Sequence, residues 1–174
     1  MKKIESPLST EVINDLRAGD MVLLSGVIYT ARDVAHKRVT ESLARGEPPA
    51  FDIKNQTVYY AGPCPAPPGR PIGSVGPTTS KRMDPFAPYL IQRGLRVMIG
   101  KGPRDKQVID AIREWSGVYF AAVGGAGALL SLTVESAELA AFADLGPEAV
   151  YKLTVRDMPL VVACDRYGGN IYQE

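Results

Sequence analysis

Between Gly62 and Asp84 the chain reads GPCPAPPGRPIGSVGPTTSKRMD, with six prolines and four glycines in 23 residues. Proline removes a backbone donor and clashes with the preceding turn of a helix. This stretch therefore fits neither a helix interior nor a central strand. It must be a long loop, and a loop of that length in a compact domain is usually functional. Regular structure has to be built on either side of it.

Before the loop, Met21–Tyr29 (MVLLSGVIY) predicts an apolar strand with a glycine kink. Residues 8–17 are a preamble that ends in a turn at Arg17–Asp20. Thr30 predicts the N-cap of a helix over 31–46, with Ala35, Val39 and Leu43 on one face and Gly46 at its end. Thr57–Ala61 predicts a second strand. After the loop, Asp84–Arg93 predicts a short helix capped by Asp84, and Leu95–Ile99 a strand. Asp105 predicts the cap of a helix whose Val108, Ala111, Ile112 and Trp115 recur at helical spacing before Gly117. Val118–Val123 predicts a strand, and GGAGALLS a glycine turn with a short helix. Glu135–Asp144 predicts a helix broken by Gly146–Pro147. Val150–Val155 and Leu160–Cys164 predict two strands, and DRYGGNIY a turn into a last short one. Strands alternate with helices, so the class is α/β, or α+β with a mixed sheet, in one domain over 1–174.

Charge narrows the function. The net charge of +1 excludes a generally basic nucleic-acid coat and an acidic tail, and no nucleic-acid partner is expected. Residues 70–106 nevertheless carry eight Lys/Arg against two Asp/Glu, while 107–174 carry four against nine. The cationic middle reads either as a solvated face balanced by the acidic last third or as a site for a small anion. Two cysteines, Cys64 and Cys164, and one histidine give neither a disulfide framework nor a common zinc site. Cys64, between two prolines, reads as a packed loop residue. Ser116 to Val134 is uncharged over 19 residues, but glycines interrupt it, so no membrane span is expected. The N-terminus lacks an apolar signal region, and the expected location is cytoplasmic.

GLRVMIGKG is not a P-loop: five residues separate Gly94 from Gly100, and Gly102 stands where Ser or Thr is needed. GGAGALL lacks the third glycine and the acidic partner of a dinucleotide site. Lys101 leaves a strand between two glycines, where a ligand can approach the backbone closely. Arg32 falls in the first helical turn, where the dipole disfavours a cation. A bound anion would satisfy both the guanidinium and the free N–H groups. The structural alternative pairs Arg32 with Asp33 or Glu41, or leaves it solvated. His36 lies one turn on, and a surface or partly buried role is favoured over catalysis. In GPTTSKRMD the hydroxyls of Thr78 and Thr79 beside Lys81 and Arg82 suit a carboxylate. The same stretch reads equally as a cap, with Thr79 or Ser80 starting a helix.

Taken together, TARDVAHKR, YYAGPCPAPPGRPIGSVGPTTSKRMD, IGKG and YKLTVRDMPLVVACDRYGGNIY resemble the β subunit of class I iron–sulfur fumarase and L-tartrate dehydratase, from about Leu8 to Tyr172. The same segment is the C-terminal domain of the single-chain enzymes. The resemblance implies a swivelling, three-layer β/β/α domain. It implies a hydro-lyase that interconverts fumarate and malate, or dehydrates tartrate to oxaloacetate, as a hetero-oligomer with an α subunit. It places a [4Fe–4S] cluster with one open iron on that α subunit and none on this chain, whose two cysteines cannot supply the three thiolates needed. Carried onto this sequence, it assigns Arg32, Thr78, Arg82 and Lys101 to a C4 dicarboxylate, with Thr79 beside them and Thr78 as candidate base. Cys64 departs from the family pattern, where threonine is expected. The alternative from another class is a non-catalytic dicarboxylate-binding or assembly module.

Overall fold

The structure, a computed structural model, describes residues 1–122 and 125–173. Its strands are β1 (Lys2–Ser6), β2 (Met21–Thr30), β3 (Thr57–Tyr59), β4 (Val97–Gly100), β5 (Val118–Ala121), β6 (Val134–Ala141) and β7 (Val150–Cys164). The helices are α1 (Thr10–Asp15), α2 (Asp33–Ala44), α3 (Ala87–Gln92), α4 (Lys106–Glu114) and α5 (Gly127–Ser131). Two 3-10 turns cover Ser80–Met83 and Ala143–Glu148.

β2, β3, β4 and β5 are parallel neighbours, and α2, α3 and α4 cross over between them. β1 adds in parallel to β2. β7 runs antiparallel to β2, from Met21↔Val161 to Thr30↔Tyr151, and on its other side pairs with β5 and β6. The pairing β2–β3–β4–β5–β7–β2 closes on itself, which removes most exposed edges. Side chains along each strand alternate between two cores. Tyr59, Val97, Ile99, Phe120 and Leu153 share the one the strands enclose. Val58, Tyr60, Met98 and Tyr119 share the other with Val39 of α2, Ile91 of α3 and Ile112 of α4. Each fully buried aliphatic or aromatic side chain contributes about 1.5–3 kcal/mol. The layering agrees with the expected β/β/α class. No helix among the described residues is long and apolar enough to cross a membrane.

The kink expected in the first long strand is Gly26, at φ +102, where a bulge interrupts pairing with β7 and the Ser6 backbone fills the place of a side chain. Several expectations need correction. Glu135–Asp144 is not a helix: Val134–Ala141 is the outer strand β6, followed by a 3-10 turn. Its Ala, Glu and Leu residues favour helix by only tenths of a kcal/mol each, and pairing with the long edge of β7 outweighs that. The two last strands are one continuous β7, and the final short strand is a single bridge between Cys164 and Asn170. The preamble holds α1, capped by Ser9, and β1 precedes it. Val123 and Gly124, the end of one expected strand and the start of the glycine turn, lie outside the described residues.

Candidate active site

Parallel β2, β3 and β4 end at one edge of the sheet, and each hands the chain to a segment that carries a candidate residue. After β2, Ala31 N–H donates to Tyr59 O (3.0 Å) and the next residue is Arg32. After β3, Tyr60 N–H donates to Ile99 O (2.8 Å) and the proline loop begins. The loop returns to the same edge. Thr78 N–H donates to Tyr60 O (2.6 Å), Thr79 forms a parallel bridge with Lys101, and Ser80 N–H donates to Lys101 O (3.0 Å). Thr78, Thr79 and Lys101 are thus stitched together by backbone bonds. Arg82 follows on the 3-10 turn, exposed, while Thr78 and Lys101 are half-buried. Both carboxylates of the cationic segment 70–106 are taken by its own cations, Asp84 by Arg104 and Asp105 by Lys81. Among the described residues, Arg82 and Lys101 make no ion pair.

Arg32 is the N-cap of α2, in extended backbone, and not a first-turn residue; Thr30 ends β2 and its hydroxyl accepts from Tyr151 N–H (3.1 Å). Arg32 pairs neither with Asp33 nor with Glu41. Its Nη1 meets Glu148 Oε1 at 3.1 Å, from the 3-10 turn before β7. Its Nε is buried with no hydrogen-bond partner among the described residues.

His36 lies beneath this site and is 3% exposed, more buried than the sequence suggests. Its Nδ1 is 2.7 Å from the Arg32 carbonyl, and the ring packs edge-on against Tyr60. Burial holds its pKa down to about 4, and the Arg104 charge adds to that; the Arg32 carbonyl and Asp33 oppose it. The neutral ring therefore donates from Nδ1 and anchors the carbonyl at the start of α2. The unfolded chain takes up a proton near pH 6.5, the folded one only near pH 4. Stability therefore falls as pH drops through that window. Lowering the pH from 7 to 5 should cost about 2 kcal/mol, read as a shift in the urea midpoint. His36→Gln should lose most of that pH dependence. An equal loss in both proteins would show that the ring is charged in the fold.

The network under Lys101 carries no signal in the sequence. Arg104, counted above as one cation of a basic segment, is wholly buried. Its Nε donates to Asp84 Oδ1 at 2.7 Å and its Nη2 to Tyr60 OH at 3.1 Å. Burial opposes its charge, but Tyr60, Asp84 and Tyr119 outweigh that and raise its pKa. Asp84 does not cap α3: its other oxygen accepts from Asp105 N–H at 2.7 Å. Ser80 Oγ bonds Tyr119 OH (2.8 Å), which donates to Gly102 O (2.7 Å), so neither Ser80 nor Thr79 caps the turn with its side chain.

Gly100 is a requirement of this packing. A Cβ there would overlap Ser80 Oγ and stand 2.8 Å from Tyr60 Cδ2. Gly100→Ala should cost about 1–3 kcal/mol by overpacking. An unchanged denaturation midpoint would mean that the 3-10 turn yields freely.

The chain's own residues do not fit an iron–sulfur cluster. Cys164 is buried in the helix-side core, where burial pushes its thiol up to about 11. Cys64 is exposed rather than packed, held through its backbone by Ser74 O and Gly73 N–H. Among the described residues, no group of three or more His, Cys, Asp or Glu could hold a metal ion.

The family model described as Fumarase C-terminus matches residues 2–174. A putative L(+)-tartrate dehydratase subunit beta from Methanocaldococcus jannaschii is 38% identical over 96% of this chain and 89% of its own. The aerobic class I fumarate hydratase of Escherichia coli K12 is 38% identical, and the mitochondrial fumarate hydratase 1 of Leishmania major 40%, each over 87% of this chain. The chain spans only 28% of the length of each of those two enzymes.

Proposed function

The chain belongs to the Fumarase C-terminus family, and on that premise we propose that it is the β subunit of a hydro-lyase that reversibly hydrates fumarate to L-malate, in a site shared with a cluster-bearing α subunit. The observation that carries the reading is that the segments carrying Arg32, Thr78, Arg82 and Lys101 meet at the carboxyl edge of β2, β3 and β4.

A C4 dicarboxylate carries two negative charges, and this edge offers three cations from separate segments. Arg82 and Lys101 hold one carboxylate. Arg32 releases Glu148 and takes the other, so a substrate carboxylate replaces a protein one. When the C3 proton leaves, the adjacent carboxylate becomes a dianionic enolate, and cations already in place stabilise it without reorganising. The [4Fe–4S] group is assigned to the partner, because two cysteines, one of them buried, cannot supply the three thiolates it needs.

A second reading, dehydration of L(+)-tartrate, is favoured by the Methanocaldococcus relative, which is named as a subunit and matched over nearly all its length. One assay tests both. The chain is co-purified with its α subunit and turnover is measured on fumarate, malate and both tartrate enantiomers. Turnover that requires both chains supports the reading, and the substrate preference chooses between its two forms. Full activity of the partner alone, or none in the complex on any of the four, overturns it.

A further inference from the structure

We propose that Arg104 is a positioning residue for the candidate site, its buried guanidinium setting Lys101 and the Thr78–Arg82 segment from below; this rests on the site reading above. The Arg104 side chain is 0% exposed and that of Asp84 2%. A buried ion pair is a poor stabiliser, because desolvating two charges offsets most of their attraction, and apolar residues of similar volume serve stability as well. Its use here follows from what it touches. Asp84 lies two residues beyond Arg82. Tyr60 offers the carbonyl that holds Thr78 N–H. The Tyr119 ring lies 4.7 Å from the guanidinium carbon, and its hydroxyl ties Ser80 to Gly102, the residues after Thr79 and Lys101. Arg104 itself is three residues beyond Lys101, across Gly102 in the left-handed region at φ +83.

One planar group thus fixes all three segments that bring Thr78, Arg82 and Lys101 to the edge. Lysine could not replace it. Nε, Nη1 and Nη2 reach Asp84, Met98 Sδ and Tyr60 OH in three directions, and an ammonium on a flexible stem has no such fork. Catalytic groups misplaced by about 1 Å lose on the order of 100-fold in rate.

The test uses the assembled two-chain enzyme. Arg104→Lys should lower kcat/KM roughly 10–100-fold while the complex stays folded by thermal melting. Tyr119→Phe, which deletes one hydroxyl, should lower it in the same direction by less. Each is then combined with Lys101→Ala. If Arg104 acts through the site, the double variants lose clearly less than the product of the single losses. A purely structural role gives multiplicative losses. Should Arg104→Lys fail to fold, Tyr119→Phe carries the same cycle. Multiplicative losses, or unchanged turnover in the folded single variants, overturn the positioning role and leave the site reading intact. Unchanged turnover in Lys101→Ala overturns the site reading and this proposal with it.

Discussion

Thr78→Ala in the assembled enzyme is expected to lower kcat by roughly 10²–10⁴-fold, the usual cost of losing a general base, with little change in KM. A free threonine hydroxyl is too weak a base at neutral pH and has to be activated. Two features of the site bear on this. Thr78 is half-buried and precedes Thr79, which bridges Lys101 through the backbone, and positive charge near it favours an alkoxide. Asp84 cannot take its proton, since both of its oxygens are engaged by Arg104 and the Asp105 amide. In the proposed reaction the hydroxyl proton passes to a carboxylate of the partner, and Thr78 Oγ1 then accepts the C3 proton. If Thr78 only binds a carboxylate, the variant raises KM and keeps most of kcat. Exchange of the malate C3 hydrogen with solvent reads the same step. Exchange at the unaltered rate in Thr78→Ala removes it as the base.

Arg82→Met should lower kcat/KM by about 2–5 kcal/mol in free-energy terms, roughly 30-fold to several thousand-fold. The size of the loss follows from where Arg82 sits. It is exposed in the chain alone and makes no ion pair among the described residues, so its removal should leave the melting of the isolated chain within about 0.5 kcal/mol. The loss appears only once the partner covers the edge and water no longer screens the charge. Arg82 thus separates site chemistry from folding. Unchanged kinetics would remove it from the site. A large loss of stability in the isolated chain would mean that its role is structural.

What the sequence discloses follows the range of the forces involved. The stripe of α4 and the strand cores are written in local periodicity, and Val108, Ala111 and Ile112 are buried as their spacing requires. β6 was illegible because its residues prefer helix and its partner strand comes later in the chain. The candidate residues Thr78 and Lys101 could be picked out by loop chemistry and by resemblance. Their approach could not, because it depends on the backbone bridge of the next residue, Thr79, with Lys101 across 22 residues. Glu148 and Arg104 were missed for the same reason: a charge in a sequence carries no mark of its burial or its partner. Pairing Arg104 with Asp84 requires the turn Ser80–Met83 and the end of β4 already in place.

In the proposed enzyme, the carboxyl edge of the parallel strands is the carboxylate-binding half of a shared hydro-lyase site. The most direct measurement is a crystal structure of the two-chain complex with a bound dicarboxylate, malate or L-tartrate. One carboxylate is expected against Arg82 and Lys101, and the other against Arg32 with the Glu148 contact broken. A dicarboxylate held by the partner alone, or bound away from this edge with Arg32 still on Glu148, would contradict it.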